Sequence, residues 1–106
     1  MVIVRLERDG EGRISSFTVQ GHADYAEYGK DIVCAGVSAV TVGTLNAIEA
    51  LLGVELDAQV EEGYLQASVP PLEGNKLEQT QLLLESMLVM LKSIEKSYGK
   101  HISVKD

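Results

Sequence analysis

Basic residues are scarce in this chain: 9 Lys and Arg stand against 16 Asp and Glu, a formal net charge of −7. Clustered Lys and Arg are what grip a phosphate backbone, so nucleic-acid binding is set aside and a basic partner fits better. Cysteine is limited to Cys34, which excludes an intrachain disulfide and any Cys-cluster zinc site and suits a reducing compartment. Low-complexity segments, linkers and repeats of full helix-plus-hairpin units are lacking. The longest charge-free run, Ile32–Ile48, has 17 residues and is diluted by Ser38, Thr41, Thr44 and Asn46. It falls short of the ~20 apolar residues that cross a bilayer, so a buried helix and no membrane partner are expected. Met1 to Leu6 runs straight into an alternation through Arg5, Glu7 and Arg8, which is not the pattern of a signal peptide. A cytoplasmic protein is expected.

What is present suits one globular domain spanning residues 1–106: 45% of residues are hydrophobic and 24% charged. A chain of this length buries roughly two-thirds of its unfolded surface, enough for a core without staples. Val2, Val4 and Leu6 alternate with Ile3, Arg5 and Glu7, and Asp9-Gly10-Glu11-Gly12 then supplies turn residues before Ile14 to Gln20, a β-hairpin pattern. Gly21 to Asp31 reads as a loop. From about Val33 to Leu52 the apolar stripe Val33, Val37, Val40, Thr44, Ile48 and Leu51 has helical spacing. Beside it lies a stripe of small residues, Gly36, Ala39, Gly43 and Ala47, on which another helix could approach closely.

A second hairpin is expected, with Val54, Leu56, Ala58 and Val60 on a buried face and a turn at Glu62-Gly63. Pro70-Pro71 ends its second strand. Asn75 with Glu78 resembles a capping box for a helix to Tyr98, whose stripe is Leu77, Leu84, Met87, Leu88, Leu91, Ile94 and Tyr98. Ile102 and Val104 allow a last strand. The expected fold is therefore α+β: a two-layer α/β sandwich of order β-β-α-β-β-α-β, mostly antiparallel, with two helices on one face.

Cys34 falls at the N-terminal edge of the charge-free helix, where unpaired N–H groups and the helix dipole favour a thiolate. A packed, inert thiol is the plainer reading of such a residue. His22 stands 12 positions earlier in the loop, after Gly21, which permits a sharp turn; it is either a partner base or an exposed loop histidine. His101 is the weaker candidate base and reads as structural or exposed. Asp31 either caps the helix or orients the imidazole. Ser38, one turn after Cys34, points the same way or bonds back to its own helix. The N–H groups of Cys34 and Ala35 are expected oxyanion donors, since helix-start donors have no intrahelical partner. In the loop, Gly21, Asp24, Glu27 and Gly29 would serve the substrate, with Gly29 as a hinge and the carboxylates drawing a basic segment.

The blocks Gly21-His22-Ala23-Asp24-Tyr25-Ala26 and Gly29-Lys30-Asp31-Ile32-Val33-Cys34-Ala35-Gly36-Val37-Ser38-Ala39-Val40 closely resemble the signature of the ribosomal-processing cysteine protease (Prp) family. The two blocks cover about a fifth of the chain, and the element order is similar as well. The resemblance implies a catalytic dyad of Cys34 and His22 accompanied by Asp31 and Ser38, with no cofactor and no metal. It implies a cytoplasmic endopeptidase that removes the N-terminal extension of a bacterial large-subunit ribosomal protein precursor, and a homodimer to which Leu83 and Met90 of the second helix are expected to contribute. The rival reading is a non-catalytic acidic module that holds a basic ribosomal protein. A redox-sensing thiol would want a resolving cysteine, which this chain lacks.

Overall fold

The computed structural model describes residues 1–27 and 30–106. Strands β1 (Val2–Arg8) and β2 (Ile14–Gln20) form the first hairpin, followed by α1 (Ile32–Leu52), β3 (Asp57–Glu61), β4 (Tyr64–Ser68), α2 (Gly74–Tyr98) and β5 (Ile102–Lys105). The sheet has the order β3-β4-β2-β1-β5. Every pairing is antiparallel except β1 with β5, where Val2 stands beside Ile102 and Val4 beside Val104. This is the expected two-layer α+β sandwich.

Strand alternation puts Val2, Val4, Leu6, Phe17, Leu65, Ala67 and Ile102 in the core, where each is nearly inaccessible. The opposite face carries Arg5, Thr18, Gln66 and Lys105, and among the described residues no helix covers it. Polar ties then fix α2 on the sheet. Gln81 accepts from the Ile14 N–H and donates to the Ile14 carbonyl, at 2.9 and 2.8 Å, and Glu95 accepts from the Val104 N–H at 2.6 Å. Arg8 bridges Glu85 and Asp106 at 2.7 and 2.8 Å; its guanidinium holds both carboxyls below their usual range.

Three expectations are corrected. The second hairpin buries Val54 and Leu56 in the segment before β3, whereas Ala58 and Val60 are exposed, Val60 at 61%. They do face the helical side, opposite Ala67 and Leu65, but β3 is the edge strand and the helices stop short of it. No capping box forms at Asn75: α2 begins one residue earlier, Glu73 holds the cap position without a side-chain bond, and Glu78 reaches toward Arg13 instead, at 3.8 Å.

The third correction concerns α1, which is buried on one face only. Its 21 residues are long and apolar enough to cross a membrane by length and composition, yet Val33, Val37, Thr41, Thr44 and Ile48 are buried. Thr41 and Thr44 hide their hydroxyls by donating to the Val37 and Val40 carbonyls. Leu51, expected in the stripe, is 73% exposed, because Leu52, four residues after Ile48, takes the core-facing position instead. Ile48→Ala should therefore lower the unfolding free energy by about 2–5 kcal/mol, and Leu51→Ala by no more than about 0.5 kcal/mol. Equal losses in denaturant titration would contradict this packing.

Candidate active site

At the end of β2 the chain must turn back at once toward α1. Gly21 makes the turn at φ 95°, and a Cβ there would run into the Met1 carbonyl oxygen, so a side chain could enter only by displacing the first strand. Its N–H donates to the Gly63 carbonyl, 2.9 Å away, which seats the β3–β4 turn beside the loop. His22 follows, exposed to solvent, with its ring against Gly63: a Cβ at Gly63 would lie 2.9 Å from His22 Nε2.

Ala23 is buried, and both its backbone groups are engaged. The N–H donates to Cys34 Sγ at 3.2 Å, and the carbonyl accepts from His101 Nδ1 at 3.0 Å. Asp24 adopts φ 55°, a left-handed conformation that costs a non-glycine residue about 1–2 kcal/mol. Such strain persists only where neighbours hold both sides. Asp31 supplies one of those holds. Its Oδ2 accepts from the N–H groups of Tyr25 and Ala26 at 2.9 and 3.2 Å, while its Oδ1 accepts from Val33 and Cys34, both at 3.0 Å. Burial pushes the Asp31 carboxyl up, but these N–H donors, Cys34 foremost, outweigh it and hold the group below the ordinary aspartate range.

Cys34 and His22 line the same two adjoining depressions. One, about 280 Å³, is walled by Val19, Val37, Val60 and Leu65 with Glu61 and Glu62 at its side; the other, about 640 Å³, adds Asp24, Asp31 and Ala35, and Ser38 lines both. Among the described residues the hydrogen bond to the sulfur comes from Ala23 and not from the imidazole. Thiol and imidazole thus face one open space from separate walls, a layout suited to acyl transfer once substrate lies between them. Among the described residues no group of three or more His, Cys, Asp or Glu is placed to hold a metal ion.

Of the residues singled out from the sequence, Cys34, His22, Gly21, Asp24, Asp31, Ser38 and Ala35 gather here. Asp31 acts as the helix cap and reaches the loop backbone. The oxyanion expectation is corrected: the Cys34 N–H is taken by Asp31 Oδ1 and the Ala35 N–H by the Asp31 carbonyl, so neither is a vacant helix-start donor. Glu27 lies away from the cleft lining, paired with Lys30 at 3.9 Å; Glu61 and Glu62 supply the acidic wall instead. Gly29, the expected hinge, lies outside the described residues. Ala23, Gly63 and the Glu61-Glu62 wall were not foreseen, because only the pairing of Gln20 with Tyr64 brings that turn to the loop.

The comparisons agree with the chemistry of this site. The sequence model of the cysteine protease Prp family matches residues 1–103. The ribosomal processing cysteine protease Prp of Bacillus subtilis is 39% identical, the match covering 98% of this chain and 96% of that one. Two crystal structures of the essential ribosomal processing protease Prp from S. aureus are similar throughout. The complex with a covalently linked product peptide has a TM-score of 0.90 at 36% identity, covering 99% of this chain and 98% of that one. The complex with a substrate peptide has a TM-score of 0.84 at 34% identity, with the same coverage. The fold and site define a cysteine peptidase. The chain belongs to the Prp family of cysteine proteases.

Asp31 makes the site's integrity pH-dependent. A carboxyl whose folded pKa is depressed stabilises the fold above its unfolded pKa, and that contribution is lost as pH falls through the folded value. In Asp31→Asn an amide N–H₂ would face donors that Oδ2 now accepts. The unfolding temperature of this variant should lie below wild type near pH 7, and the gap should close as pH drops below the ordinary aspartate value of 3.8. A gap constant over the whole range would show that the carboxylate's charge does not matter.

Proposed function

We propose that Cys34 is the nucleophile and His22 the general acid and base of a cytoplasmic endopeptidase, carried by a single domain of residues 1–106. The observation that carries this reading is that Sγ and the imidazole line the same depressions from different walls. His22 takes the thiol proton, and the thiolate attacks the scissile carbonyl. The C–N bond breaks as His22 returns the proton to the leaving amine, leaving a thioester on Cys34. Water, deprotonated by His22, then attacks the thioester; the acid product leaves and the thiol is restored. The Ala23 N–H supports the thiolate before attack.

For the substrate, we infer the N-terminal extension of a bacterial large-subunit ribosomal protein precursor. Support comes from the ribosomal-processing relatives and from the acidic cleft, where Asp24, Glu61 and Glu62 would draw a basic segment. Incubated with such an N-terminal peptide and followed by mass spectrometry, the wild type should cut once, Cys34→Ala should not cut, and His22→Ala should lose about 10²–10⁴-fold in kcat/KM. Near-wild-type cleavage by His22→Ala would overturn the choice of base.

A homodimer is also inferred. Gly36 of the small-residue stripe already meets α2, since a Cβ there would lie 3.7 Å from Ile94 Cδ1. Ala39, Gly43 and Ala47 remain open in a groove shared with Leu83, Ser86 and Met90, a surface on which a second copy could pack. Light scattering should give twice the chain mass at micromolar concentration; a monomer would remove the dimer.

A further inference from the structure

We propose that His101 is a positioning residue for the reactive sulfur: by holding the Ala23 carbonyl it keeps the Ala23 N–H on Cys34 Sγ. The proposal rests on the reading of Cys34 as nucleophile. His101 is itself firmly held. Its N–H donates to the Tyr98 carbonyl at the end of α2, 2.8 Å, and its carbonyl accepts from the Val2 N–H of β1, 2.9 Å. Its half-buried ring meets Tyr25 edge-on at 5.2 Å, and Tyr25 meets Tyr98 edge-on at 5.5 Å. A carbonyl oxygen only accepts, so Nδ1 bears the proton.

Ala23 has no side chain with which to orient itself. Its two backbone bonds do so, one to the sulfur and one to the imidazole. The strained Asp24 comes next, and beyond it Tyr25 and Ala26 hang on Asp31. The backbone strain therefore lies between His101 on one side and Asp31 on the other, while the Asp24 carboxylate pairs at the surface with the N-terminal ammonium at 3.5 Å. Removing His101 lets Ala23 and Asp24 relax and draws the N–H off the sulfur. An N–H directed at sulfur holds it in place and steadies the negative charge it carries into attack, so its loss slows attack.

Three variants of the full chain test this: His101→Ala, His101→Gln and His101→Asn. The Asn amide can stand close to where Nδ1–H stands, whereas the longer Gln amide reaches the Nε2 position. The titratable groups around the sulfur, His22, Asp24 and Asp31 from the loop and cap and Glu61 and Glu62 from the β3–β4 turn, are unchanged in all three, as are Tyr25 and Tyr98 beside His101. The readouts are kcat on the peptide substrate and the rate of Cys34 alkylation by iodoacetamide at neutral pH. The Ala and Gln variants should slow both by about tenfold, the size of one hydrogen bond to a charged group, and Asn should restore both to within about threefold of wild type.

Mere loosening of the fold would expose the sulfur and speed alkylation, so the direction of the change separates the two roles. Alkylation as fast as wild type or faster in His101→Ala, or an Asn variant as slow as Gln, overturns the proposal. If the Ala variant does not fold, the Asn and Gln pair decides. Cys34→Ala is assayed alongside: cleavage by that variant would defeat the reading of the nucleophile, whereas an inactive Cys34→Ala with a wild-type His101→Ala defeats only the positioning role.

Discussion

The Asp31 carboxylate is the interaction on which the rest of the site depends. It gathers two N–H groups from the start of α1 and two from the loop that carries His22. Helix start and loop would otherwise each leave donors unpaired in a poorly solvated corner. Burying a carboxylate is costly, and here the cost is offset by the donors it collects. Cys34 and His22, 12 residues apart in sequence, thereby share one rigid frame. The same capping that orders the frame occupies the Cys34 N–H, which is why the helix start is not an open anion site and why the sulfur takes its donor from Ala23.

The sheet supplies the second wall. Because β4 lies beside β2, the β3–β4 turn is brought to Gly21, and its Gly63 leaves room for the His22 ring. Glu61 and Glu62 come with that turn and make the cleft acidic on the side opposite the helix. The exposed Val60 of the edge strand, which looks like an unburied core residue, lines the apolar depression next to Cys34. Its exposure thus falls where a bound peptide would cover it.

Local pattern was sufficient for the hairpins, both helices and the element order, since alternation and helical spacing are set by the helix-bearing layer they face. It failed where burial depends on position in the layer. Val60 and Ala58 alternate like core residues but sit on an edge strand, and Leu51 fits a helical stripe whose last core-facing position is taken by Leu52. Asn75 and Glu78 have capping spacing, yet Gly74 already starts the helix. At the site, the family's two blocks singled out Cys34 and His22, and both line the cleft; the open helix-start donors expected beside Cys34 are instead taken by Asp31. The contact of His101 with Ala23 was not legible, because it joins a side chain to a backbone carbonyl 78 positions away, and no spacing rule reports such a contact.

A covalent bond to Cys34 is the centre of the proposed chemistry. Acid-quenched wild type, caught during turnover of the ribosomal-protein peptide, should show by intact mass spectrometry an adduct equal to the N-terminal product less one water. Peptide mapping should put that adduct on Cys34. Turnover that proceeds with no adduct on Cys34 at any quench time, or with the adduct on another residue, would contradict it.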